Sequence, residues 1–156
     1  MANDGIEHYK KILKEARGIL LIDWPSQAVP RGLLNAGLTV FCFSPNQYSK
    51  AGLESAGNQN VEGNRVLLPA AGAESMNLVF TKIESITEPI DIVHIYRPEA
   101  EHAKIIIDHV LPLHAKVLWL QPPITSLKTR DLAKQYGITY IEEVDITDTA
   151  GAIIKK

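Results

Sequence analysis

Six short, almost unbroken apolar runs recur along the chain, at residues 19–22, 38–43, 65–68, 90–96, 116–120 and 138–141, each bounded by turn-forming residues. A strand with one wet face alternates polar and apolar residues, so a continuous run marks a strand covered on both faces. Between most of these runs lie segments with helical spacing. Ile6, Tyr9, Leu13 and Ala16 form one stripe behind an Asn3/Asp4 cap, which predicts an amphipathic helix over 4–16. A short helix over 27–36 has Ser26 as its cap, Pro30 in its first turn and Gly37 as its stop. After Pro98, the residues Ala100, Ala103, Ile106, Ile107 and Val110 make one apolar face that ends at Pro112. A last clear helix over 125–136 is capped by Thr125/Ser126 and stopped by Gly137.

Buried strands alternating with helices across short links require right-handed crossovers, and therefore helices on both faces of the sheet. The expectation is an α/β fold: a doubly wound parallel sheet of about five or six strands in a three-layer α/β/α arrangement. A length of 156 residues fits one domain over 1–156. The stretch 45–63 breaks the rhythm, being rich in Gly, Asn, Ser and Gln, and is expected to be an exposed, mobile insertion. Residues 145–156 read as a polar tail with a weak Ala-Ile-Ile patch that either forms a terminal helical turn or frays.

Composition excludes several function classes. A formal charge of −2 gives no basic field to draw in a phosphate backbone, so no nucleic-acid partner is expected. Cys42 is the single cysteine, which rules out an internal disulfide or a cysteine zinc cage, and it reads as a small buried hydrophobe. The start of the chain has no basic and apolar leader pattern, and no apolar run approaches membrane-spanning length; a cytoplasmic protein without a membrane partner is expected. His8, His94, His102, His109 and His114 scatter over different elements without metal-ligand spacing, and His94 lies within a buried strand. No nucleophile elbow, carboxylate pair or P-loop is present, so the sequence points to binding rather than catalysis.

Ligands of open parallel sheets bind beyond the carboxyl ends of the strands, where the strand order reverses. That rule selects Asp23, Trp24, Ser26 and Gln27 after the first run and Ser44, Pro45 and Asn46 after the second; Arg97, Pro98 and Gln121 follow later runs. The amino end of the 27–36 helix offers backbone amides to a phosphate, with Arg31 one turn in; on the other reading, Ser26 is only a cap and Arg31 a surface charge. Arg97 either supplies a guanidinium fork to a phosphate or pairs with Glu99 or Asp23. Trp24 either stacks on a base or plugs the crevice, while Ser44 and Asn46 suit a ribose or base.

Several segments, taken in order, resemble a known family. They are the helix ending Ile12-Leu13-Lys14-Glu15-Ala16, then Leu33-Leu34-Asn35-Ala36-Gly37-Leu38 and Ser44-Pro45-Asn46. Ile86-Thr87-Glu88-Pro89-Ile90-Asp91-Ile92-Val93 follows, then Tyr96-Arg97-Pro98-Glu99-Ala100 and Lys116-Val117-Leu118-Trp119-Leu120-Gln121. Over about residues 10–142 the chain is similar to the small CoA-binding domain proteins, single-domain relatives of the CoA-binding part of succinyl-CoA synthetase with a Rossmann-type fold. Where that family carries a Gly-Ala-Ser type turn, this chain has Asp23-Trp24-Pro25-Ser26, and its Phe-Arg-Arg-Pro-Glu type segment is here Tyr96-Arg97-Pro98-Glu99. An Asp-Arg-Cys type motif near the end is here Glu142-Glu143-Val144-Asp145.

The resemblance implies noncatalytic binding of coenzyme A, acyl-CoA or a related adenine nucleotide as the small-molecule partner, with self-association left open. The alternative is a degenerate Rossmann-type domain whose closed pocket leaves it an oligomeric or protein-interaction module. A nicotinamide enzyme ranks below both. Such sites want a Gly-x-Gly-x-x-Gly turn and an acidic residue after the second strand, where this chain has Ser44-Pro45-Asn46.

Overall fold

A computed structural model describes residues 2–44, 46–71 and 75–154. The apolar runs at 19–22, 38–43, 90–96, 116–120 and 138–141 form the parallel half of the sheet. Its strands are β1 (Ile19–Ile22), β2 (Val40–Phe43), β6 (Ile92–Ile95), β7 (Val117–Leu120) and β8 (Thr139–Ile141). The whole sheet has eight strands in the order β4-β5-β3-β2-β1-β6-β7-β8. Beyond β2 it continues antiparallel through β3 (Tyr48–Ser55), β5 (Met76–Ile83) and β4 (Arg65–Leu68). The doubly wound α/β fold is therefore present, with an antiparallel extension of three strands that raises the strand number above the expected five or six.

The extension corrects the reading of residues 45–63 as a loop. Tyr48 to Ser55 pair in register with Ile83 to Met76 along the full length of both strands. Only Ala51 of β3 is buried, so its polar and small residues reflect a half-covered antiparallel strand rather than a missing one. Beyond Ser55 the chain is an exposed loop tied back by side chains. Asn77 Nδ2 donates to the Asn58 carbonyl at 2.8 Å, and Arg65 grips both Glu54 carboxylate oxygens at 2.5 and 2.9 Å.

Helices cover both faces. On one side α1 (Ala2–Glu15), α2 (Ala28–Asn35) and α5 (Ile146–Ile154) bury Leu13, Val29, Leu33, Ile146 and Ala150 against Ile19, Leu21, Cys42 and Trp119. Of the two outcomes open for the tail, the helical one is found, and it is longer than a single turn. On the other side lie α4 (Leu127–Gln135) and a helical run over 99–110, here α3. They bury Ala133, Ile105, Ile106 and Val110 against Leu20, Ile22, Val93 and Leu118.

The α3 run is a 3₁₀ turn (Glu99–Glu101), a short α-helix (His102–Ile105) and a π-helical turn (Ile106–Val110). Each change of pitch rotates the following side chains around the axis. The apolar face expected from regular spacing is consequently displaced: Ile107 is exposed, while Ile105 and two histidines, His102 and His109, are buried. The expected Asn3/Asp4 cap is not one, since α1 begins at Ala2 and includes both residues, whereas the punctuation of α4 and the stop of α2 follow the sequence. Ser126 Oγ accepts the Thr129 amide at 3.0 Å at the start of α4, and Gly37 and Gly137 take the left-handed conformation after α2 and α4, at φ 85° and 70°.

His94 sits on β6 between Leu21 and Trp119, fully buried, and neither ring nitrogen has a hydrogen-bond partner among the described residues. Burial lowers its pKa to about 4, which the nearby Gln121 side chain and the Asp145 charge offset only in part. The folded state thus keeps a neutral ring that the unfolded chain protonates below about pH 6.5. Stability from this residue is complete above that pH and declines as pH falls towards 4. Between pH 7 and 5 the native protein should lose about 2 kcal/mol more than a His94→Leu variant in urea titrations. Equal losses in the two proteins would show that His94 is not the group responsible.

Candidate functional site

The chain leaves β1 for β2 on one side and reaches β6 on the other, so the strand order reverses at β1. Crossovers run in opposite directions from that point, and a crevice opens at the carboxyl ends of β1 and β6. A cleft of about 590 Å³ occupies this place. Ile22 and Asp23 line it from β1, Phe43, Ser44 and Asn46 from β2, and Arg97, Glu101, Lys104, Ile105, Asp108 and His109 from the end of β6 and α3.

The cleft therefore opens on the α3 side of the sheet, which divides the residues chosen by the strand-end rule. Asp23, Ser44, Asn46 and Arg97 line it. Pro98 sets the start of the 3₁₀ turn with an extended backbone and is exposed. Gln121 is buried on the opposite side, in line with His94 and Trp119. Pro45 lies outside the described residues.

The α2 group belongs to a different part of the molecule. Trp24 stacks on Phe80 of β5, centroids 5.5 Å apart and planes at 24°, so its ring is neither a platform for a base nor a plug in the cleft. Ser26 Oγ accepts the Ala28 amide at 3.3 Å, but Gln27 is the residue at the N-cap of α2 and makes no side-chain capping bond. Gln27 Oε1 accepts from Arg31 Nε at 2.7 Å. Arg31 is only 3% exposed and donates to the carbonyls of Met76 at 2.7 Å and Leu68 at 3.2 Å. It is neither a surface charge nor a phosphate ligand at the cleft, but a tie between α2 and the antiparallel extension. A buried guanidinium surrounded by carbonyl oxygens has its donors satisfied while lending them to tertiary structure.

Arg97 is held from two sides. Its Nη1 donates to Asp23 Oδ2 at 3.1 Å, while Nε and Nη2 form a fork on Glu101 at 2.9 and 2.7 Å. The two carboxylates push the guanidinium pKa up, and Arg97 holds the Glu101 carboxyl below its ordinary range. Of the two partners considered from sequence, Asp23 is the one found; Glu99 instead accepts a hydrogen bond from Ser126 Oγ. Glu101 was not singled out, although the i, i+4 spacing from Arg97 signals such a pair once the segment is helical. The Arg97 carbonyl is fixed as well, accepting from His102 Nε2 at 2.8 Å.

Asp23 takes a left-handed conformation, φ 62°, and its Oδ1 accepts the Trp24 amide at 3.0 Å. Aspartate tolerates this backbone region better than most residues because its short side chain bonds locally. The turn after β1 thus has a glycine-like backbone with a carboxylate attached. Further along α3, Lys104 pairs with Asp108 at 2.6 Å and holds its carboxyl pKa down. Glu101, Lys104, Ile105 and Asp108 follow one another at helical spacing, a stripe that sequence reading overlooked in favour of the opposite face.

At the other end of that stripe, His109 Nδ1 lies 2.5 Å from the hydroxyl of Tyr48, and Phe43 packs against both rings with centroids 4.5 and 4.8 Å away. Burial lowers the His109 pKa, with Asp108 opposing and Lys104 reinforcing the shift, and burial raises that of Tyr48. Both groups are neutral at pH 7. Cys42 is buried and its thiol pKa is pushed up by burial, so it is not poised as a nucleophile. Among the described residues there is no cluster of metal-ligating side chains, and no helix is long and apolar enough to cross a membrane.

Comparison with known proteins is decided by a family model described as a CoA binding domain, which matches residues 22–144. The chain belongs to the CoA-binding domain family. Its fold is shared by solved structures of low sequence identity. A PH1109 protein redesigned for binding is 17% identical with a TM-score of 0.66, covering 97% of this chain and 93% of that one. The cell-free ID.343 protein of Thermus thermophilus is 19% identical with a TM-score of 0.63, covering 96% and 98%. A hypothetical protein from Pyrococcus horikoshii OT3 is 16% identical with a TM-score of 0.62, covering 96% and 92%. No curated protein matches the chain.

Within the CoA-binding domain framework, the Asp23–Arg97 contact joins the two strand ends that border the cleft. Its side chains are 34% and 38% exposed, so solvent screening limits its contribution to at most about 1 kcal/mol. Asp23→Asn keeps the bond to the Trp24 amide and tolerates the left-handed backbone while removing the charge. The variant should unfold in urea within about 1 kcal/mol of the native protein. A loss above about 2 kcal/mol would mean that the pair, and not the packed strands, holds the cleft together.

Proposed function

We propose that this CoA-binding domain protein is a noncatalytic binder of coenzyme A or an acyl-CoA, and that the ligand occupies the cleft at the carboxyl ends of β1, β2 and β6. The observation that carries the reading is the position of the cleft: it lies at the reversal of strand order, within the segment matched by the family model, with Arg97 on its wall. Its volume, about 590 Å³, falls in the range of small-molecule sites. Ile22, Phe43 and Ile105 supply apolar surface, and Arg97 and Lys104 supply cations.

Arg97 reaches its ligand through donors that its carboxylate partners leave over. A guanidinium has five N–H groups, and three are engaged with Asp23 and Glu101. Two remain for a phosphate oxygen, in the fork geometry that favours arginine over lysine. Asp23 works against an anion at the same place. The two residues therefore contribute with opposite signs, and ligand entry weakens the contact between them. Noncatalytic binding fits the state of the cleft's ionisable groups, since its carboxylates are engaged in ion pairs and Tyr48 already occupies one nitrogen of its histidine. The protein acts in this reading on a cytoplasmic metabolite pool.

The guanidinium already gripped by two carboxylates favours one rival. In that reading the pocket is closed by its own charges, and the domain serves as an oligomeric or protein-interaction module.

Thermal shift with CoA, acetyl-CoA, ATP, NAD and NADP separates the two. A ligand present at about 100 times its dissociation constant adds about 2.7 kcal/mol of stability. CoA or acetyl-CoA should give the largest shift. Arg97→Ala should weaken CoA binding by about 1.5 to 3 kcal/mol, and Asp23→Asn should strengthen it. No shift with any ligand at millimolar concentration would give the closed-pocket reading the field, and unchanged CoA affinity in Arg97→Ala would remove Arg97 from the site.

A further inference from the structure

We propose that Tyr48 and His109 form a fixed N–H donor at the end of the cleft away from Arg97, and that this donor recognises the thioester carbonyl of an acyl-CoA. The ligand of this domain is then the acylated form in preference to free CoA. The inference rests on the reading above that the cleft binds CoA.

The direction of the hydrogen bond follows from the chemistry of its partners. His109 Nδ1 and the Tyr48 hydroxyl are 2.5 Å apart. A phenol is a far stronger acid than a neutral imidazole N–H, so Tyr48 donates and Nδ1 accepts. The proton of the neutral ring is then on Nε2. Nε2 has no partner among the described residues, and His109 lines the cleft. A side chain elsewhere on the protein would hold either tautomer; here the neighbouring hydroxyl selects one. Phe43 packs on both rings and restricts their rotation.

The surroundings select the kind of acceptor. Next to His109 the charge of Asp108 is matched by Lys104 at 2.6 Å, so no net positive charge stands beside the neutral donor. An anion gains nothing there, whereas an uncharged carbonyl beside Phe43 and Ile105 gains a hydrogen bond in an apolar setting. Position along the cleft then selects which carbonyl. Glu101, which grips Arg97, and His109 stand eight residues apart, towards opposite ends of the α3 run that lines the cleft. With the diphosphate at Arg97, the pantetheine arm runs along α3 and carries its acylated end towards His109.

His109 stands on the α3 run four residues after Ile105, which also lines the cleft, and His102 on the neighbouring face is bonded to Thr129 of α4 at 2.8 Å.

Isothermal titration of the full chain with acetyl-CoA and with CoA tests the proposal, together with ¹⁵N NMR of the imidazole nitrogens in the free protein. The native protein should show the Nε2–H tautomer for His109 and bind acetyl-CoA about tenfold more tightly than CoA. His109→Phe keeps the aromatic packing, and Tyr48→Phe keeps the ring while releasing the tautomer. Both should bring that ratio towards one. His109→Gln, which restores an N–H donor at similar reach, should recover part of it. A ratio near one in the native protein, or a preference that survives both Phe variants, overturns this inference and leaves CoA binding intact. Failure of the native protein to bind either ligand overturns the proposed function, and the inference falls with it.

Discussion

β1 holds the domain together because its two parallel neighbours, β2 and β6, both follow it in the chain and lie on opposite sides of it, so the sheet is built outwards from it in both directions. Its four residues are at most 4% exposed, and each of them pairs on both sides. Carboxylate–guanidinium contacts tie β1 to β6 at both ends. At the amino end, Arg17 donates from its backbone amide, Nε and Nη2 to Asp91 at 2.8, 3.0 and 2.7 Å, which holds the Asp91 carboxyl below its ordinary range. At the carboxyl end, Arg97 contacts Asp23. The polarity is exchanged between the two: the arginine precedes β1 in the first and follows β6 in the second. Gly18, between Arg17 and β1, admits no side chain, since a Cβ would lie 2.5 Å from the Pro89 carbonyl oxygen. The two strand starts are thereby brought to backbone contact, and the crevice at their other ends follows from topology.

The parts of the structure legible in sequence are those set by covering on both faces. Five of the six apolar runs are strands of the parallel half, and the sixth, at 65–68, is the outermost antiparallel strand. Caps and stops were legible because Ser126, Gly37 and Gly137 act locally. β3 and β5 were not, for a physical reason. Each is stabilised by pairing with the other along eight positions, and a half-exposed strand carries Ser, Lys and Glu where a buried one cannot. Pairing between segments that far apart in sequence leaves no periodic mark on either one.

The site was legible to the extent that topology decides it. Asp23, Ser44, Asn46 and Arg97 meet at the cleft because each ends a strand or follows it. Trp24, Ser26, Gln27 and Arg31 satisfy the same rule and are diverted, because the chain after β1 turns to the α2 face while the cleft opens on the α3 face. Which face is open is a matter of helix placement, and α2 is covered there by α5 and the antiparallel extension. Tyr48 and His109 were invisible for compound reasons: one lies on the unrecognised strand, the other on a turn whose pitch departs from the regular helix assumed in reading the spacing.

Among the departures from the family's usual residues, Asp23 falls on the cleft, whereas Trp24 and Ser26 lie with α2 and Glu142 to Asp145 stand outside the lining. A Gly-rich turn admits a phosphate by leaving the backbone bare; Asp23 keeps the left-handed backbone that such a turn requires but adds a negative charge. That charge faces Arg97, which Glu101 also engages, so the cleft's strongest cation is moderated rather than removed. Under the proposed CoA binding, a cleft altered in this way grips a diphosphate less tightly, and more of the affinity comes from the rest of the ligand along the wall formed by Phe43, Ile105 and His109. The balance of recognition would then move from the nucleotide end of the cofactor to its arm, which is the end that distinguishes one acyl group from another.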